Sequence, residues 1–110
     1  MAGSSSEVLQ GTLDLLVLKA LSLAPMHGWG ISQRIQQLSR DALQIGQGSL
    51  YPALYRLERK GFVKSEWRTT ENNREAKYYR LSAAGQRALD AEMNEWRRFA
   101  GAVDLVLVAE

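Results

Sequence analysis

The pattern of hydrophobic positions opens with one long helical stripe and a shorter one. Apolar residues recur every three or four positions between Leu9 and Ala24, which predicts a largely buried helix that ends before Pro25. After a Pro-Met-His-Gly turn, a second stripe predicts a shorter helix between about Trp29 and Ser39. The chain is therefore expected to begin with two helices joined by a tight connection.

A third helix is predicted from Ser49 to Gly61, after a short strand-like run at residues 43–45. The Ser49 hydroxyl suits an N-cap, Pro52 is tolerated in a first turn, and Gly61 is a natural stop. Leucines at every third or fourth position form one face, which we expect to be buried. The opposite face displays Tyr51, Pro52, Tyr55, Arg56 and Arg59.

Two strand-like runs, Phe62–Arg68 and Ala76–Leu81, follow this helix. Their side chains alternate in character along the chain, which is typical of half-buried strands. The pair Asn72-Asn73 in the connection tolerates positive φ and suits the tip of a hairpin. The sequence therefore predicts a two-stranded hairpin with basic flanks.

A long final helix is predicted from its N-cap Ser82 to about Val108. At about 100° per residue its main apolar positions lie within about 80° of one another, with Phe99 beside them. This seam comprises Leu89, Met93, Trp96, Ala100, Val103 and Leu107. The fold class is therefore mainly α (α+β): a winged helix-turn-helix with a two-stranded wing and a long C-terminal helix.

The 110 residues suffice for one compact core and not for two. We expect a flexible Ser/Gly-rich leader over residues 1–8, a winged-helix DNA-binding domain over 9–82, and a C-terminal dimerisation helix over 83–110. No apolar run approaches the roughly 18 residues of a membrane span, and the N-terminus does not resemble a signal peptide. We therefore expect a cytoplasmic protein with no membrane partner.

The residue types needed for catalysis and for metal binding are scarce. Cysteine is absent and His27 is the single histidine, which excludes disulfides, thiol chemistry and zinc sites of the cysteine type. No phosphate-binding loop, facing carboxylate pair or metal loop is recognisable. We expect neither an enzyme nor a metal or other cofactor, and we interpret His27 as a structural residue of the turn.

Charge is distributed unevenly along the chain. The formal net charge is only +2, yet residues 49–80 carry eight basic and four acidic side chains, a net +4, and the remainder carries −2. Such an asymmetry favours an anionic partner, although a solvated mixed surface would carry the same charges.

In a winged helix-turn-helix, a helix enters the major groove of DNA while the wing contacts an adjacent stretch of backbone. Arg74 is the expected wing-tip contact. Two alternatives stay open: Tyr51 could pack against the wing instead, and winged helices also serve as protein-docking modules without specific DNA binding. The candidate contacts to double-stranded DNA are Ser49, Tyr51, Pro52, Tyr55, Arg56, Arg59, Arg68, Arg74 and Lys77.

Three blocks of sequence resemble the PadR family of bacterial transcriptional regulators. They are Leu-Gln-Gly-Thr-Leu-Asp-Leu-Leu-Val-Leu (9–18) with His-Gly-Trp-Gly-Ile (27–31), Gly-Ser-Leu-Tyr-Pro-Ala-Leu-Tyr-Arg-Leu-Glu (48–58), and Lys-Tyr-Tyr-Arg-Leu-Ser-Ala-Ala-Gly (77–85). The resemblance implies a winged-helix dimer that represses promoters, with the third helix in the major groove. Two departures are Trp29, where the family more often has tyrosine, and Glu75, which makes the wing less basic.

The final helix would be about 39 Å long, whereas the preceding residues form a domain about 30 Å across. Its distal half is still apolar, so an exposed stripe would need a partner, and a two-fold homodimer is the simplest solution. The resemblance further implies that short members hold flat apolar effectors between paired C-terminal helices. Trp96 is placed either to contact such a planar hydrophobic effector or only to pack in the dimer seam.

Overall fold

The computed structural model describes the backbone of residues 2–110 and the side chains from Gly11 onwards. Four helices and three strands form a mainly helical fold, and the mainly α class agrees with the sequence pattern. The elements are α1 (Ala2–Leu23), β1 (Met26–His27), α2 (Gly28–Leu38), α3 (Gln47–Arg59), β2 (Val63–Thr69), β3 (Glu75–Leu81) and α4 (Ala83–Leu107).

Helix α1 is the centre of the core and contacts α2, α3, α4 and β3. Its bounds begin at Ala2, earlier than the start of the apolar stripe at Leu9. The leader proposed for residues 1–8 begins with Met1, which lies outside the described residues, and that leader stays a prediction. The buried residues that pack together are Leu13, Val17, Leu18, Ala20, Leu21, Ile31, Ile35, Leu50, Ala53, Leu54, Leu57, Val63, Tyr79 and Leu89.

Helix α3 begins earlier than predicted. Its N-cap is Gly46, which has no side chain to cap with, and the amides of Ser49 and Leu50 both donate to the Gly46 carbonyl, at 3.1 and 3.0 Å. The prediction of Ser49 as N-cap was therefore wrong, because Ser49 lies inside the first turn; Pro52 lies in the second turn. The strand expected at residues 43–45 is not formed either.

The sheet contains one more strand than predicted. The wing hairpin β2–β3 is confirmed, with a register that runs from Val63 opposite Leu81 to Thr69 opposite Glu75. The two-residue strand β1 pairs with the other edge of β3, which gives the order β1-β3-β2. A strand of two residues has no periodicity to read, so the sequence showed only a turn at this place.

Helix α4 follows β3 after the single residue Ser82. The Ser82 hydroxyl accepts a hydrogen bond from the Gly85 amide at 3.0 Å, which confirms the predicted cap, and it donates to the Gly61 carbonyl at 2.6 Å. The Ser82 amide donates to the Phe62 carbonyl at 3.0 Å. These bonds join the start of α4 to the turn between α3 and β2.

The distal half of α4 extends away from the rest of the fold, and the molecule measures 59 × 28 × 25 Å. Leu89 is fully buried in the core of its own chain and Met93 packs partly against it, so these two predicted seam residues serve the intrachain core. From Trp96 onwards the large apolar side chains of α4 are exposed.

Candidate nucleic-acid interface

The exposed face of α3 carries Pro52, Tyr55 and Arg59, because the leucines and Ala53 on its other side pack into the core. Arg59 Nη1 donates a hydrogen bond to the Tyr55 hydroxyl at 3.0 Å, and its guanidinium carbon lies 5.6 Å from the centre of the Tyr55 ring. Neither side chain pairs with a carboxylate among the described residues. Both are therefore available to an external partner, and Ser49 is exposed one turn before Pro52.

Tyr51 lies on the flank of α3 that faces the start of α2. A Cβ atom added at Gly28 would lie 2.5 Å from the Tyr51 hydroxyl oxygen, so only a glycine leaves room for this ring. The Tyr51 side chain keeps 43% of its surface exposed. The ring therefore packs on the start of α2, and the two alternatives raised by the sequence, a DNA contact and packing against the wing, stay predictions.

Arg56 does not share the exposed face with Tyr55. Its Nη2 donates to Asp14 Oδ1 of α1 at 2.8 Å, and the two residues are 42 positions apart in the chain. The sequence placed Arg56 among the groove-facing residues, because a side chain on the flank of a helix can turn to either side. The structure turns it towards α1.

The wing has an inner face towards α3 and an outer face. Lys77 is on the inner face, with its ammonium 3.9 Å from a Glu58 oxygen and 5.9 Å from the centre of the Tyr79 ring. Arg68 is on the outer face, where it pairs with Glu66 at 2.6 Å and covers the Tyr78 ring at 5.2 Å. Two of the three predicted wing cations therefore already have partners in the protein.

Arg74 occupies the tip of the wing. The connection is closed by hydrogen bonds from the Thr70 amide to the Arg74 carbonyl at 2.6 Å and from the Asn73 amide to the Thr70 carbonyl at 3.0 Å. Asn73 has a φ of +58°, as predicted for the tip. Within residues 11–110 the Arg74 side chain is exposed and has no carboxylate partner, so of the three predicted wing cations it is the one without an ion pair.

A cleft of about 610 Å³ separates the wing from the starts of α2 and α3. Its two most exposed rings are Trp29, 61% exposed, and Trp67, 66% exposed. Tyr51, Arg74 and Lys77 also line it. The sequence analysis proposed neither tryptophan as a surface residue of this cleft. Trp67 is exposed because the wing extends beyond the core, and the core covers only the base of the wing.

Two further groups shape the cleft. Burial raises the pKa of Tyr79, and the nearby Tyr51 and Glu58 add to the effect. His27 Nδ1 accepts a hydrogen bond from the Gly30 amide at 3.0 Å, which makes it the N-cap of α2 and supports its structural interpretation. Glu75 adds one carboxylate to this cleft, which the basic residues Arg74 and Lys77 also line.

The described part of the chain holds no cluster of histidine, aspartate and glutamate side chains suited to a metal ion. None of its helices is both long and apolar enough to cross a membrane.

Comparisons with known proteins agree with this architecture. The profile of the transcriptional regulator PadR-like family matches residues 17–91. The transcriptional regulator Rv3488 of Mycobacterium tuberculosis is 37% identical over 83 residues, which are 76% of this chain and 74% of that protein.

Two solved structures extend the likeness over almost the whole chain. A transcriptional regulator from Clostridium thermocellum superposes with a TM-score of 0.80 at 26% identity, covering 89% of this chain and 95% of the other. A PadR family transcriptional regulator from Eggerthella lenta superposes with a TM-score of 0.78 at 30% identity, covering 99% of this chain and 94% of the other. The long C-terminal helix therefore lies within the shared fold.

Proposed function

Because the chain belongs to the PadR-like family of transcriptional regulators, we propose that it binds double-stranded DNA as a homodimer and acts as a repressor. The observation that carries this proposal is the exposed face of α3, where Tyr55 and Arg59 have no carboxylate partner within residues 11–110. An α-helix fits the major groove, and arginine and tyrosine can reach base edges and phosphates there.

The cleft beside α3 supplies the contact to the DNA backbone. When a helix lies in the major groove and a wing reaches over the adjacent backbone, the intervening sugar-phosphate strand passes between them. Arg74 at the tip contacts a phosphate, and the exposed rings of Trp29 and Trp67 pack against the apolar faces of the sugars. Since Lys77 and Arg68 are already paired, they contribute less than Arg74 to this contact.

The distal half of α4 supports the homodimer. Trp96, Phe99, Val103 and Leu107 are all exposed on a helix that extends beyond the core, and such a surface calls for a partner. A two-fold axis through this seam places two copies of α3 on one side of the dimer. The operator is then an inverted repeat with half-sites about one DNA turn, roughly 34 Å, apart.

Selection from random duplexes tests this function. We expect an inverted repeat, and an affinity that falls by orders of magnitude between low and moderate salt because phosphate contacts release counterions. Arg59→Ala weakens binding to the selected operator, whereas Arg98→Ala, which removes an exposed arginine from α4 on the side opposite Leu89, leaves it unchanged. Failure to select any sequence, or an affinity indifferent to salt, would contradict DNA binding and favour the protein-docking alternative.

The exposed aromatic pair on α4 supports a second part of the proposal, that a planar hydrophobic effector binds there and causes the protein to dissociate from its operator. The ring centres of Trp96 and Phe99 are 6.4 Å apart, with 44° between their planes. Two such pairs across a two-fold axis line a slot suited to stacking and apolar burial. Planar dyes should quench tryptophan fluorescence in the native protein and not in Trp96→Ala, with the dimer intact in both. Quenching that persists in the variant would remove the effector site.

A further inference from the structure

Asp14 is the one buried charged side chain among residues 11–110, with 9% of its surface exposed. It lies on α1 and accepts the hydrogen bond from Arg56 Nη2 of α3 at 2.8 Å. A buried carboxylate is costly unless it is paired and hydrogen-bonded, and this pair satisfies the requirement by joining two helices. In the other ion pairs found in these residues both side chains are at least 36% exposed, against 13% for Asp14 and 31% for Arg56.

A third helix reaches the same place. Glu92 is a half-buried residue of α4, and its pKa is raised by burial and, to a smaller extent, by the negative charge of Asp14, while Lys60 acts in the opposite direction. The carboxylate of Glu92 on α4 is therefore close enough to Asp14 for the two negative charges to repel each other. Apart from Asp14, the buried residues of α1 and α3 within residues 11–110 are leucines, alanines and one valine.

We propose that the Asp14–Arg56 ion pair fixes the orientation of α3 on α1, and thereby sets the half-site spacing that the dimer accepts. Hydrophobic attraction is non-directional, whereas a short charged hydrogen bond restricts both distance and angle. Arg56 is thus a positioning residue and not a reader of bases. This inference rests on the proposed function, because spacing is defined only for a dimer on DNA.

The ion pair is better explained by positioning than by stability. Replacing a buried ion pair with apolar side chains of similar size is often neutral or stabilising, because the pair must be desolvated. The double variant Asp14→Leu/Arg56→Met can therefore remove the link and keep the fold. The variant Asp14→Glu/Arg56→Lys keeps both charges, and Arg98→Met is a control that removes an exposed ion pair with Glu95.

The orientation can be measured without DNA. The sequence has no cysteine, so Lys19→Cys and Ser49→Cys introduce two unique sites for spin labels on α1 and α3. Electron–electron resonance on labelled chains diluted into unlabelled protein reports the distance within one chain. We expect one narrow distance in the native background, in the charge-retaining variant and in the control, and a broadened or shifted distribution in Asp14→Leu/Arg56→Met. An unchanged narrow distribution there would overturn the inference.

The consequence on DNA is measured with operators that carry one extra central base pair, which moves one half-site by about 3.4 Å and turns it by about 34°. We expect the native protein to lose about tenfold or more in affinity on this operator, and the apolar double variant to lose less than about threefold. Equal losses would again refute positioning. A native protein that selects no operator refutes the proposed function, and the label distances still decide the role of the ion pair.

Discussion

Gly85 offers a sharp test of how α4 is attached to the winged-helix domain. A Cβ atom at this position would lie 2.0 Å from the Phe62 carbonyl oxygen and 2.9 Å from its carbon. That oxygen already accepts the Ser82 amide, and the Phe62 amide donates to Leu57 at 3.0 Å. Because both sides of the contact are backbone, Gly85→Ala must separate α4 from the turn.

The expected cost combines two effects. Overpacking of a tight contact costs about 1–3 kcal/mol, and a strained or broken buried hydrogen bond costs about 1–3 kcal/mol more. The better helix propensity of alanine adds about 1 kcal/mol to the free energy of unfolding and so offsets part of this cost. We therefore expect Gly85→Ala to lower the free energy of unfolding by about 1–5 kcal/mol, and the central value of about 3 kcal/mol lowers the melting temperature of a chain of this size by about 12–24 °C.

Gly101→Ala is the matched control on the same helix. No atom lies within 4 Å of a Cβ placed there, so only the gain of about 1 kcal/mol from helix propensity remains. Calorimetry and urea unfolding of the two variants should give shifts of opposite sign. Equal stabilities would refute the close contact between α4 and the Phe62 carbonyl.

Three further predictions concern the wing, the cleft and the core. Arg74→Ala should weaken binding to operator and random DNA alike and reduce the slope of log affinity against log salt by about one; a loss confined to the operator would contradict a phosphate contact. Gly28→Ala should displace the Tyr51 ring and weaken DNA binding in a gel-shift titration with little change in melting temperature, whereas Gly30→Ala, whose nearest contacts are 3.4 Å away, should do neither. Because the pKa of Glu92 is raised in the folded state above its ordinary 4.5, the folded protein holds this proton more tightly and loses stability as pH rises through the folded pKa. Glu92→Gln should therefore stabilise the protein against urea at pH 7, with a gain that shrinks as pH falls towards 4; a constant gain would contradict the linkage.

The hydrophobic periodicity predicted the helices and strands that are longer than one or two repeats of the pattern. The wing strands are within a residue of their predicted bounds, and α4 begins and ends where its cap and its stripe indicate. The failures lie where local geometry depends on residues distant in the chain. Strand β1 exists only because β3 presents a free edge to Met26 and His27.

In the candidate interface too, features that depend on local periodicity were predicted, and features that depend on residues distant in the chain were not. The exposed and buried faces of α3 follow from its 3.6-residue period, so Tyr55 and Arg59 were found correctly as exposed residues. The partner of Arg56 was not predictable, because Asp14 is 42 residues away and both residues also fit ordinary helix faces. The exposure of Trp67 depends on how far the wing extends past the core, which a two-residue alternation does not encode.

The junction at Ser82 couples the direction of the wing to that of α4, since this single residue separates β3 from α4 and two hydrogen bonds join it to Gly61 and Phe62. One residue inserted into α4 between Ser82 and Trp96 would move the distal half of the helix by about 1.5 Å along its axis and rotate it by about 100° about that axis. The exposed stripe would then point to a different side of the molecule. Insertions and deletions that keep the direction of this stripe relative to the wing are therefore restricted to the loops at residues 39–46 and 70–74 and to the chain ends.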